Sequence, residues 1–133
     1  AFRLRKKGLK SANVCLGIRY GDFSFWEMRK QLGEHINVTK TIYEICIKLL
    51  QNIYPFEKPV RLISVRLGSL KRDDGQEFIF DNMNRSEKLS KAVDAINSEY
   101  GDFVIKPASH LIAEKFGIKK NCGMAEREKI NKV

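Results

Sequence analysis

The chain has 133 residues, with 25 Lys and Arg against 16 Asp and Glu, a net charge of +9 at pH 7. With 43% hydrophobic residues, it has the length and apolar content of one domain with a real core, which excludes a wholly disordered segment. The charge predicts attraction to polyanions, nucleic acid first among them, and no apolar run approaches the ~20 residues of a membrane helix.

The opening Ala-Phe-Arg-Leu-Arg-Lys-Lys has neither an initiator Met nor the apolar core of a signal peptide, as expected of a piece of something larger. Residues 1–12 read as a basic linker, with Arg3 to Lys10 extended. From Asn13, Val14, Leu16, Ile18 and Tyr20 alternate with Cys15, Gly17, Arg19 and Gly21, the period of a half-buried strand. Gly21-Asp22 is a turn, and Phe25 to Leu32 a second strand pairing back on the first. Alternation puts Trp26, Met28, Lys30 and Leu32 on one face and Phe25, Glu27, Arg29 and Gln31 on the other. Apolar content favours burying the first set and Lys30 opposes it, so the register stays open.

Thr39 is a reasonable N-cap for a helix in which Ile42, Ile45, Cys46, Leu49, Leu50 and Ile53 follow helical spacing, ended by Pro55. Val60 to Gly68 is the third strand, with Ile63, Val65 and Leu67 on one face and Leu62, Ser64 and Arg66 on the other. Lys71 to Gly75 is a charged turn and Gln76 to Phe80 a short fourth strand. Asn84 with Glu87 three residues later resembles a capping box. It opens a second helix with the stripe Leu89, Ala92, Val93, Ile96 and Tyr100, and Gly101 suits its C′ position. Phe103 to Lys106 make a last short strand, and residues 112–133 a charged tail. The order β-β-α-β-β-α-β predicts an α+β domain over 13–111. Its sheet would have four to five antiparallel strands, with two helices packed on one face and the other face open.

Arg19 and Arg66 project from the open face, joined by Arg29 or Lys30 from the second strand. Arg61 has the opposite parity and joins only through the frayed start of its strand. Cations that meet phosphates release counterions, so affinity should fall with salt by a slope of about 0.9 per contact on duplex DNA. An RNA-binding sheet would need solvent-facing aromatic residues on its central strands, where Arg19, Ser64 and Arg66 stand. Cys15, Cys46 and Cys122 are odd in number and far apart, as in a reduced cytoplasmic protein rather than a disulfide or zinc framework. His35 and His110 stand alone. Paired carboxylates, Gly-rich phosphate loops and metal-ligand pairs are lacking, and Asp73-Asp74 reads as turn chemistry, so no active site or cofactor is expected.

The order and spacing of these segments resemble the C-terminal little-finger domain of Y-family translesion DNA polymerases, in the bacterial polymerase IV and ImpB/MucB/SamB (UV-damage repair) branch. The resemblance runs from about Leu4 to Leu111. It rests on Arg5-Lys6-Lys7-Gly8-Leu9-Lys10 leading into Val14 to Tyr20, on Thr41-Ile42-Tyr43 through Leu50, on Val60 to Leu67, and on Ala92 to Ile96 through Tyr100-Gly101-Asp102. It implies a non-catalytic module of a bacterial, cytoplasmic DNA-repair polymerase. Such a module is tethered to palm and thumb by a basic linker and lays its sheet on the primer–template duplex, while Mg²⁺ is held in the palm. The DNA-facing positions it implies are Lys7, Lys10, Arg19, Arg29, Lys30, Gln31, Arg61, Ser64 and Arg66. On the second strand, members often show Ser-Arg-x-Lys/Arg-Thr; here Glu27 replaces the Ser and Met28 the Arg, while Lys30 keeps a cation. The family orientation would turn Met28 and Lys30 toward DNA. Relatives also carry a Gln-Leu-x-Leu-Phe peptide that binds the sliding clamp. Gln76, Ile79 and Phe80 match it, with Phe78 inside it and Glu77 breaking it; the competing reading is an ordinary strand with Phe78 and Phe80 packed inward. A protein-interaction domain without DNA affinity of its own is the alternative function.

Overall fold

The computed structural model describes residues 1–73, 81–101 and 104–117. In chain order these form α1 (Phe2–Lys6), β1 (Leu9–Tyr20), β2 (Phe25–Ile36), α2 (Thr39–Leu50), β3 (Val60–Arg72), α3 (Asp81–Tyr100) and α4 (Ala108–Lys115). The chain divides into two compact units, Ala1–Ala95 and Ile96–Val133.

In the first unit β1, β2 and β3 make an antiparallel sheet of order β2-β1-β3, so the expected α+β architecture is present, with three strands among the described residues. The segment expected to supply a fourth strand, Gln76 to Phe80, lies outside the described residues. The central position of β1 explains its composition: Val14 and Ile18 are fully buried and Leu16 nearly so, because β1 has a strand on each side and a helix over one face. That helix is α2, whose Ile42, Ile45 and Leu49 close on Val14, Leu16 and Ile36, with Trp26, Met28, Leu32 and Leu67 packed around them. Each such side chain contributes about 1.5–3 kcal/mol on burial.

The register settles the orientation of β2. Trp26 stands opposite Ile18, Met28 opposite Leu16 and Lys30 opposite Val14, and directly paired residues share a face. Lys30 is therefore on the helix-backed face, not the outer one expected for it. It sits on an edge strand, where a long stem lets the ammonium reach water. Beyond Gln31 the ladder is interrupted: Asn13 pairs with Gln31 but Ser11 with Ile36, so Ala12 alone faces residues 32–35. A second irregularity lies where Arg19 pairs with Leu62 and Tyr20 with Val60, leaving Arg61 as the extra residue of a bulge. The strict alternation that set Arg61 against Arg66 does not apply there.

The basic N-terminal segment is not an extended linker. Leu4 is buried, and the Arg5 guanidinium forks onto the Asp94 carboxylate at 2.6 and 2.9 Å while donating to Asn37 O at 2.6 Å and Thr39 Oγ1 at 3.1 Å. Thr39, expected at the N-cap, is instead the first residue of the helix, with Val38 at the N-cap and no side-chain cap. Lys10, also expected to face DNA, is buried. Its ammonium lies 2.9 Å from Asp73 and 4.0 Å from Glu87, tying the start of β1 to the end of β3 and to α3. Glu87 is also 3.2 Å from Lys91, so it serves these ion pairs rather than a capping box, and α3 begins at Asp81, before Asn84. The expected apolar stripe of α3 is largely solvent-facing, Leu89 included; the helix is held by Glu87 and Asp94.

In the second unit α3 ends at Tyr100, and Gly101 takes a φ of 116°, a left-handed C′ geometry that glycine adopts without steric cost. The strand expected over 103–106 is absent at the described residues 104–106. The Asn97 side chain there donates to Ile105 O at 3.0 Å and accepts from Ile105 N at 2.8 Å, satisfying the backbone groups a sheet would have paired. α4 then occupies the start of the expected tail. No helix among the described residues is long and apolar enough to cross a membrane.

Candidate nucleic-acid interface

The face of the sheet opposite α2 carries the odd-numbered side chains of β1 and their partners. Four cross-strand rows follow from the pairing: Gln31–Asn13–Gly68, Arg29–Cys15–Arg66, Glu27–Gly17–Ser64 and Phe25–Arg19–Leu62. With strands ~4.8 Å apart and ~3.3 Å per residue, Arg29 and Arg66 stand about 10 Å apart, with Arg19 about 13 Å along the sheet from their row. All three arginines are exposed. A hairpin of central and edge strand flanked by β3 thus gathers three exposed cations from three elements onto the face opposite α2. Of the expected contact residues it brings together Arg19, Arg29, Gln31, Ser64 and Arg66. Lys30 and Lys10 it does not, and Lys7 lies exposed at the C-terminal end of α1. The candidate clamp residues Gln76, Phe78, Ile79 and Phe80 lie outside the described residues.

Between the cations the face is polar and locally cross-linked. Asn13 Nδ2 donates to Gln31 Oε1 at 2.9 Å. The Ser11 hydroxyl spans 2.7 Å to Gly68 O and 2.8 Å to Asn13 O, and Ser64 Oγ donates to Gly17 O at 3.3 Å. Cys15 is buried at the centre of its row, and Arg66 Nη2 reaches its Sγ at 3.8 Å. The Arg66 guanidinium is also ion-paired with Glu27 across β1. Sequence reading marked Glu27 as a departure from the family pattern but did not see this pairing, which requires the diagonal register of β2 and β3.

Gly17 shapes the middle of the face. A Cβ there would lie 2.7 Å from Ser64 Oγ and 2.9 Å from Phe25 Cζ, so the missing side chain is what lets the Phe25 ring rest on the central strand.

The chain matches the model of the impB/mucB/samB family C-terminal domain over residues 1–78. It belongs to this family. That span contains the whole three-stranded sheet and α2, so the family match and the arginine-bearing face coincide. Among curated proteins, this family domain is similar to DNA polymerase IV 2 of Halalkalibacterium halodurans, at 26% identity over 80% of this chain and 27% of the relative. It is 30% identical to DNA polymerase IV of Clostridium acetobutylicum over 77% of the chain and 26% of the relative. DNA polymerase IV of Opitutus terrae is 24% identical over 82% and 28%. The chain therefore spans about a quarter of the length of these relatives.

The hairpin turn that ends this face is held electrostatically. Asp22 accepts from Lys58 Nζ at 2.7 Å and from Ser24 Oγ at 2.5 Å and Ser24 N at 2.9 Å. The Lys58 hydrogen bond, followed by those from Ser24, holds the Asp22 carboxyl well below the usual carboxylate range. The same pair pushes the Lys58 ammonium upward. In the core layer, burial pushes the Cys46 thiol up, which keeps it protonated and unreactive at neutral pH.

Proposed function

We propose that this chain is the non-catalytic DNA-holding domain of a larger bacterial DNA-directed DNA polymerase that bypasses template lesions in the cytoplasm. Its sheet grips the primer–template duplex through phosphate contacts. The observation that carries this reading is the sheet face opposite α2, with exposed Arg19, Arg29 and Arg66 on three adjacent strands, on a chain of net charge +9. The side-chain amides of Gln31 and Asn13 add neutral donors that suit phosphate oxygens. Such contacts position a duplex without reading its sequence. Among the described residues no group of carboxylates is set out to hold Mg²⁺: Asp73 and Glu87 converge on the Lys10 ammonium, which already supplies the positive charge. Metal chemistry on this reading belongs to the parent's palm. Docking on the sliding clamp through Gln76, Phe78, Ile79 and Phe80 is supported by the peptide pattern alone.

The test is fluorescence anisotropy of this chain with a labelled primer–template duplex across a salt series. Three arginine–phosphate contacts give an expected log–log slope of about −2.7, little dependent on sequence, and less steep in Arg29→Ala and Arg66→Ala variants. Binding that is absent at low salt would instead favour the protein-docking alternative.

A further inference from the structure

The hairpin end of the same face differs in chemistry from its arginine-rich middle, and its aromatic rings are exposed. Phe25 is 54% and Phe23 63% solvent-exposed. The two are differently supported. The Phe25 ring is seated on the Gly17 backbone, so close that a Cβ there would come within 2.9 Å of Cζ and 3.2 Å of Cε2. Phe23 carries the Arg61 guanidinium 4.6 Å from its ring centroid and sits in the left-handed region at a φ of 66°. A bulky residue is strained there, where Asn or Gly would be comfortable, and strain of this kind collects at working surfaces. The turn bearing Phe23 is fixed by Asp22, Ser24 and Lys58, so the ring is placed by the backbone. Arg19 stands opposite Phe25 on β1.

Two preset rings beside two guanidinium groups complement one kind of polymer: an anionic strand with exposed, unpaired bases. A base-paired duplex offers its phosphates but hides its base faces, whereas single-stranded DNA offers both. Aromatic stacking together with Arg is how sequence-tolerant single-strand sites are built. We infer that the hairpin end, through Phe25 and the Arg61-capped Phe23, binds unpaired nucleobases of a single-stranded extension continuous with the duplex held by the arginine-rich middle. The inference rests on the duplex-holding reading for the register of that extension, and on the rings themselves for the stacking.

The test compares three labelled DNAs by anisotropy: a blunt duplex, the same duplex with a short single-stranded extension, and the duplex with an extension of abasic sugar–phosphate. The expected result is about tenfold tighter binding with the native extension and little gain with the abasic one. A Phe23→Asn, Phe25→Leu double variant relieves the strained φ and keeps an apolar cover on Gly17, so it remains folded, as a thermal melt checks. It should bind the blunt duplex like the parent chain and lose the gain. An abasic extension that binds as tightly as the native one, or a double variant that keeps the gain, overturns the stacking site while leaving duplex holding intact. Weak blunt-duplex binding alongside a base-dependent gain would overturn duplex holding and uphold the stacking site. If no DNA binds, both fall.

Discussion

Replacing Glu27 by Ser should make the domain bind duplex DNA more tightly, although it removes an ion pair. In the free chain the Glu27 carboxylate engages the Arg66 guanidinium across Gly17, so a phosphate approaching Arg66 must displace or share a carboxylate. Two unit charges ~4 Å apart interact by ~1 kcal/mol in water and ~4 kcal/mol near a protein surface. The Arg66 side chain is 64% exposed, and exposed pairs typically measure only 0.2–1 kcal/mol. Releasing that competition is therefore worth about 1 kcal/mol, or about fivefold in affinity. The salt slope should stay at about −2.7, because Arg66 meets a phosphate with or without Glu27 and the counterions released are those of the DNA. Anisotropy with the primer–template duplex reads both quantities. Glu27→Gln, which keeps the size and removes the charge, should match Glu27→Ser. In an Arg66→Ala background the gain should shrink to the general effect of one less negative charge. Unchanged or weaker binding by both Glu27 variants, or an undiminished gain without Arg66, would refute the reasoning.

Three further perturbations separate fold from interface. Lys10→Ala leaves the half-buried Asp73 and the buried Glu87 carboxylates without their shared cation and should cost about 3 kcal/mol in chemical denaturation; the folded fraction should keep its duplex affinity, contrary to a role for Lys10 at phosphate. Gly17→Ala places a Cβ against Ser64 Oγ and Phe25 Cζ, both able to turn aside at the open face, so about 1 kcal/mol of destabilisation is expected, with Phe25 ring resonances displaced in NMR spectra. Asp22 should titrate far below the ordinary carboxylate value of 3.8. A depressed carboxylate contributes stability that is present above that value and lost only as pH falls through its folded pKa. Carbon-detected NMR should therefore find Asp22 still ionised where free aspartate is half protonated, and Lys58→Ala should raise its midpoint.

The strand pair and α2 were legible in the sequence because burial there follows simple periods: Val14, Leu16 and Ile18 at two, and Ile42, Ile45 and Leu49 at three and four. The outer positions of Arg19, Ser64 and Arg66 follow from the same alternation. Lys30 was not legible, since one cation in an apolar set is compatible with either face until pairing with Val14 decides. Lys10 and Arg5 looked like linker charges because the carboxylates that hold them, Asp73, Glu87 and Asp94, lie more than sixty residues onward. Parity grouped Phe25 with Glu27, Arg29 and Gln31 but left open which face they take, and its ring needs Gly17 as a floor, a relation between strands that no single-segment pattern contains. The position of Arg61 likewise depends on a bulge that composition does not announce.

The most direct measurement is an amide NMR titration of the chain with a primer–template duplex, mapping which residues shift. The expected result is shifts concentrated at Asn13, Cys15, Gly17 and Arg19 with their partners Arg29, Gln31, Ser64 and Arg66, while Ile42, Ile45 and Leu49 of α2 stay in place. Shifts centred on α2, or none at low salt, would contradict a sheet that holds DNA.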